Sequence, residues 1–195
     1  MPRGIAKDHD EKRFALRKGA ASYFARHGYD RASMTGAAQH CGISKALIYH
    51  YYDSKEALLF DIIEAHLSDL LDAVEQEHPT ALPDLVQAIL SAYENADAEH
   101  KLQLDALTTL PPELQEPLID LQRRLVSIMS AAIASQRPDL TGDRLRAVTM
   151  SVFGILNWFY MWHRPGKGLS RAEYGKLAAE FVNGGVMGLG GESND

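Results

Sequence analysis

The chain has 195 residues, 46% of them hydrophobic, and a formal net charge of −6, enough material for one or two small domains with a real core. A single cysteine, Cys41, excludes an intramolecular disulfide and a thiolate metal cluster and suits a cytoplasmic protein. The longest uncharged apolar stretch, Ala147–Trp162, has 16 residues including Thr149, Ser151 and Asn157, short of the roughly 20 that a membrane span needs, and the N-terminus shows no apolar signal-peptide core.

The apolar stripe Phe14, Leu16, Ala20, Tyr23 and Phe24 predicts a first helix over 8–27. A second helix is expected over 34–41, capped by Ser33. Gly42 stands where a helix-ending residue with positive φ is wanted, and Ser44 is placed to cap a third helix over 45–51. So short a connection is the layout of a helix-turn-helix that reads DNA. The start of the third helix projects, so Ser44, Lys45, Ala46, Tyr49 and His50 are expected to face the DNA, together with Ser33 and Thr35 of the second. Leu47 and Ile48 are expected to face inward. Asp53 or Ser54 then caps a fourth helix over 54–76, with Lys55 available to a phosphate.

Further helices are expected over 82–95, 98–109, 112–136, 143–163 and, behind a Ser170/Glu173 capping box, up to Met187. Prolines at 79, 83, 111, 112, 138 and 165 punctuate them. No segment alternates with period two. The class is therefore all-α with nine helices: a DNA-binding domain at 1–55, a helical body at 56–190 and a disordered tail at 191–195. Charge divides the same way. Residues 1–55 carry ten Lys/Arg against five Asp/Glu, a net of +5, and the remainder carries −11. A basic head on an acidic body is the footprint of a nucleic-acid module.

Phe24-Ala25-Arg26-His27-Gly28-Tyr29, then Ala37-Ala38, Gly42-Ile43-Ser44, Tyr49, Tyr52 and Ser54-Lys55-Glu56, all lie in one register. Over residues 10–65 the chain resembles the TetR/AcrR family of transcriptional regulators, with Ala37 where the family usually has isoleucine and Tyr52 where it usually has phenylalanine. The resemblance implies a homodimer through the last two helices, a palindromic double-stranded operator and a small hydrophobic effector held in the body. It implies no cofactor and no catalysis.

The eighth helix is apolar all round, so it must be buried on more than one face, one in the body and one against a partner. Tyr93, Leu104, Leu107, Leu121, Leu125, Met129, Met150, Phe153, Asn157, Trp158, Met161 and Trp162 are the candidates for an effector pocket, against the simpler reading that they are core and dimer seam. The run 157–170 resembles a signature of regulators that answer to acyl-coenzyme A thioesters, with Arg123, Arg124, Arg164 and Lys167 as phosphate partners or as solvated cations. A drug-responsive efflux regulator is the alternative, and a helical binding protein or enzyme a third reading.

The eight histidines show no metal-ligand spacing, which leaves only a meeting of His100 with His163 to consider. Cys41 is either a redox sensor or a small packing residue. Arg17, Lys18 and the arm Arg3–Lys7 are either phosphate clamps or solvated charge.

Overall fold

The structure is a computed structural model describing residues 3–77, 81–164 and 166–190, with the side chains of 3–8 and 77 left aside. The expected tail at 191–195 and the side chains of Arg3 and Lys7 lie outside the described residues. The chain divides into two compact units. The first takes in the chain up to Leu67 together with Ala96–Ile119; the second comprises Ser68–Asn95 and the chain from Asp120 onward. The start of the fourth helix and the whole of the sixth are thus grouped in one unit with the first three helices.

Unit 1 contains α1 (Arg3–His27), α2 (Met34–His40), α3 (Lys45–Tyr51), the start of α4 (Lys55–Glu77), α6 (Asp97–Ala106) with a 3-10 turn at Leu107–Thr109, and the start of α7 (Pro112–Gln136). Phe24, Ala37, Ile48, Leu58, Leu59, Ile62 and Ile63 are fully buried in it. Two close approaches set the α1–α2 packing. A Cβ on Gly19 would come within 2.6 Å of the Cys41 sulfur, and one on Gly36 within 2.0 Å of the Tyr23 hydroxyl, so a side chain at either position would force Cys41 or Tyr23 to move.

A buried carboxylate joins three of these helices. Asp61 on α4 accepts hydrogen bonds from Arg13 Nε at 3.2 Å and Nη2 at 2.6 Å. It also accepts the Tyr52 hydroxyl, from the C-cap of α3, and lies 3.6 Å from Arg17. Burial, then the bond to Asp61, pushes the Tyr52 phenol well up from its ordinary value, so it stays protonated and donates. Across the same unit, the buried His66 of α4 meets His100 of α6, ring centroids 5.7 Å apart. Burial, then the neighbouring His100 and Lys18, pulls His66 down to about 3. His100 therefore has its ring neighbour within unit 1, on α4.

Unit 2 contains the end of α4, α5 (Leu82–Ala92), the rest of α7, α8 (Gly142–Asn157), α9 (Phe159–Trp162) and α10 (Arg171–Gly188). Leu82, Leu85, Val86 and Ile89 of α5 supply its core with Ala178, Val182 and Val186 of α10 and Val152 and Leu156 of α8. The Ser170/Glu173 capping box forms as expected: Ser170 Oγ accepts the Glu173 amide at 3.2 Å, and Glu173 accepts the Ser170 amide at 2.8 Å.

All nine expected helices are present among the described residues, with one correction. The eighth does not run unbroken to His163 but is interrupted at Trp158. The interruption re-aims the chain. Phe159 is buried, stacked 4.4 Å from Tyr174 and 4.5 Å from His163 with Arg171 over its ring, while Trp158 stays 61% exposed. The described residues contain one isolated bridge, Arg164–Lys167, and no strand.

Asp61→Ala leaves a buried hydroxyl and a guanidinium without an acceptor and should cost about 3 kcal/mol in chemical denaturation. Tyr52→Phe leaves Asp61 held by Arg13 and should cost about 1 kcal/mol; equal losses would show that the carboxylate is not the hub. For His66, the folded state binds its proton more weakly than the unfolded state. Its contribution is intact above pH 6.5 and is lost on acidification toward about 3, at up to about 1.4 kcal/mol per pH unit. Thermal melts of His66→Gln between pH 7 and 4.5 should therefore show a shallower decline than the parent, and an identical decline would contradict this.

Candidate nucleic-acid interface

The helix-turn-helix is assembled by local hydrogen bonds that its sequence encodes. Ser33 Oγ accepts the Gly36 amide at 3.1 Å and starts α2. The helix ends at Gly42, φ +68°, where the Ile43 amide donates to the Ala38 carbonyl at 3.0 Å and the Gly42 amide to that of Gln39 at 3.1 Å. This is a Schellman ending. Ser44 Oγ then accepts the Leu47 amide at 3.1 Å and opens α3, and Ser54 Oγ accepts the Ala57 amide at 3.0 Å to open α4.

α3 is anchored by one fully buried side chain, Ile48. The expected contact residues Ser44, Lys45, Ala46, Tyr49 and His50 are all exposed along it, and Ser33 and Thr35 are exposed on α2. The Lys45 ammonium lies 5.8 Å from the Tyr49 ring centroid, so aromatic and cation form one feature of the exposed face. Leu47 departs from expectation. A seven-residue helix presents little inward surface, and Ile48 occupies it. Leu47 is 39% exposed, at the rim of an apolar cleft of about 220 Å³ with Leu16, Cys41, Ile43 and Tyr51.

Lys55 is also used differently. Its ammonium donates to the Tyr29 carbonyl at 3.1 Å and the Ala32 carbonyl at 3.2 Å, and lies 4.3 Å from the Tyr29 ring centroid. It ties the α1–α2 connection to the start of α4. Arg17 and Lys18 face Asp61 and Glu99, the latter at 3.0 Å, rather than standing free for phosphates. Cys41 has its thiol pushed up by burial, and its sulfur sits 3.9 Å from the Leu16 carbonyl. A raised thiol is the opposite of what a reactive thiolate needs, which favours the packing reading.

The effector candidates separate. Leu104 and Leu107 belong to unit 1, Leu104 exposed and Leu107 buried. In unit 2, Tyr93, Leu125, Met129 and Phe153 are buried, and the Tyr93 hydroxyl donates to Asn157 Oδ1 at 3.0 Å. Met150, Trp158, Met161 and Trp162 are exposed. Of the expected phosphate partners, Arg123 pairs with Asp120 and Arg124 with Glu75, both at 2.7 Å, and Arg164 donates to the His163 carbonyl at 3.0 Å. The Asp61 hub was not legible from local pattern, because its hydrogen-bond partners lie 9 and 48 residues away.

Comparison with known proteins agrees with this arrangement. Residues 16–62 match the bacterial regulatory proteins of the tetR family, and residues 78–186 match the tetracyclin repressor-like C-terminal domain. The transcriptional repressor KstR2 of Mycolicibacterium smegmatis is 26% identical over 189 residues, covering 90% of each chain. A TetR-family regulator from Bordetella parapertussis superposes with a TM-score of 0.83 at 29% identity, over 92% of this chain and 98% of that one. The fold is shared with AibR, solved in complex with isovaleryl coenzyme A and operator DNA, at a TM-score of 0.72 and 23% identity over 87% and 97% of the two chains. The chain belongs to the TetR family of bacterial regulatory proteins, DNA-binding regulators of transcription that carry a helix-turn-helix.

Proposed function

We propose that the protein is a homodimeric repressor that leaves its operator when the body binds an acyl-coenzyme A thioester. The observation that carries the DNA part is the exposed row Ser44, Lys45, Ala46, Tyr49 and His50 on a helix anchored from behind by Ile48. Likeness to KstR2, named a repressor, supports the sign of regulation, and the AibR complex supports the effector class.

Dimerisation is supported by an apolar face within unit 2. Met150 on α8 and Leu177 and Phe181 on α10 are exposed, Phe181 by 67%. Exposed small residues, Ala147, Ser151 and Gly154 on α8 and Gly184 and Gly185 on α10, permit close helix approach. Two such helices from each of two copies make a four-helix bundle and bring two α3 helices to a palindrome. α4 belongs to both units, ending unit 1's share at Leu67 and starting unit 2's at Ser68. A ligand that binds unit 2 better when α4 is displaced shifts the population away from the DNA-competent state.

Enrichment of bound duplexes from a randomised library tests the reading first. Tyr49→Ala should then weaken binding to the enriched duplex by roughly tenfold or more, about 1.4 kcal/mol, without lowering the melting temperature; unchanged binding removes Tyr49 from the interface. In a thermal-shift screen, an acyl-coenzyme A at a hundred times its Kd should add about 2.7 kcal/mol of stability, a shift of several degrees, where the free acid adds little. A shift only with hydrophobic drugs would replace the thioester reading with efflux control.

A further inference from the structure

The positive charge of unit 1 is engaged very unequally. Arg13 and Arg17 face Asp61, Lys18 faces Glu99, Lys101 pairs with Asp105, and Lys55 is held by two carbonyls. These cations are neutralised or tied within the unit. Arg26 and Arg31 are exposed, and among the described residues neither has a carboxylate, carbonyl or ring partner. Asp30, exposed on the same loop, forms no ion pair with either.

The two guanidinium groups flank the corner where α1 turns into α2. With Tyr23 and His27 they line an open cleft of about 290 Å³ that contains no acidic side chain. Tyr23 fixes the cleft against α2. Its ring lies 4.6 Å from His27 and 5.7 Å from His40, and its hydroxyl fills the space a side chain at Gly36 would need. Arg31 is seated over Gly28, whose φ of +79° ends α1 in the left-handed region; the guanidinium lies 3.5 Å from where a Cβ would stand. The cleft thus borders the helix that exposes Ser33 and Thr35.

We propose that Arg26 and Arg31 form a clamp for the DNA backbone, gripping phosphates that flank the half-site read by α3, with His27 and Tyr23 as its polar walls. The proposal rests on the operator-binding reading above. A guanidinium matches phosphate oxygens through a planar, two-pronged donor set. A pair of them with no internal partner, beside α2 on a chain whose net charge is negative, supplies local attraction for phosphate. Phosphate contacts position without reading sequence, so the clamp sets affinity and register while α3 sets specificity.

The test uses the full-length Arg26→Gln/Arg31→Gln variant. Its affinity is measured by fluorescence anisotropy, across a salt series, on the duplex enriched by the parent and on a random-sequence 30-base-pair duplex. Both affinities should fall roughly tenfold at low salt, and the salt slope should become shallower by about 1.8 per protomer, two contacts at about 0.9 each. The preference between duplexes should be unchanged, and so should the melting temperature. Arg26→Lys/Arg31→Lys should restore most of the slope. Parent-like affinity and slope in the glutamine variant would overturn the clamp, as would loss confined to the enriched duplex, which would make the pair base readers. A parent protein that binds neither duplex would overturn the function reading itself, a result distinct from a binding parent with an indifferent variant.

Discussion

The carboxylate of Asp61 is the point on which the DNA-binding unit turns. It sits on α4, nearly excluded from solvent, and is reached by Arg13 from α1 and Tyr52 from the end of α3. An unpaired buried charge is strongly destabilising, so the geometry that satisfies it is enforced. Once Arg13 and Tyr52 both meet Asp61, the first, third and fourth helices have a fixed relation. Ile48 then fills the one inward position of α3, and the rest of that helix is left outside. The exposed row proposed to face DNA is thus a consequence of how the opposite side is held. Tyr52, a departure from the phenylalanine usual at this place, supplies the hydroxyl that makes the three-way contact.

Charge follows the same logic. The excess of +5 over residues 1–55 is visible in the sequence, but its availability is not. Arg17 and Lys18 read as candidates for phosphate because nothing near them in the chain is acidic except residues at 8–11. Their partners, Asp61 and Glu99, come from other helices. Lys55 reads the same way and turns out to bind carbonyls of the α1–α2 connection. What remains outside this internal pairing is a smaller set, with Arg26 and Arg31 prominent in it.

Features governed by adjacent residues were legible from the start. The Ser33, Ser44 and Ser170 caps and the Gly42 ending each depend on atoms within five positions, and each forms where the residue types place it. The all-α class follows from periodicity in the same way. Long-range choices were not legible: the interruption at Trp158 answers to the stacking of Phe159 on Tyr174, fifteen positions on, and Leu47 was displaced because Ile48 took the inward side. The effector candidates illustrate the limit. Apolar composition marks Tyr93, Met129, Phe153, Met150 and Trp158 alike, yet the first three are buried and the last two exposed. Periodicity reports that a residue is apolar, and only packing decides whether it faces a core, a ligand or a second copy.

The measurement that bears most directly on the account is protection of guanine N7 from methylation in the complex with the enriched duplex. N7 lies in the major groove, where α3 is expected to dock. Two protected clusters related by two-fold symmetry are expected, about one helical turn apart or a multiple of it. The same footprint should be lost in the presence of the effector. Absence of N7 protection on a duplex that the protein still binds, or a single cluster without a symmetry mate, would contradict it.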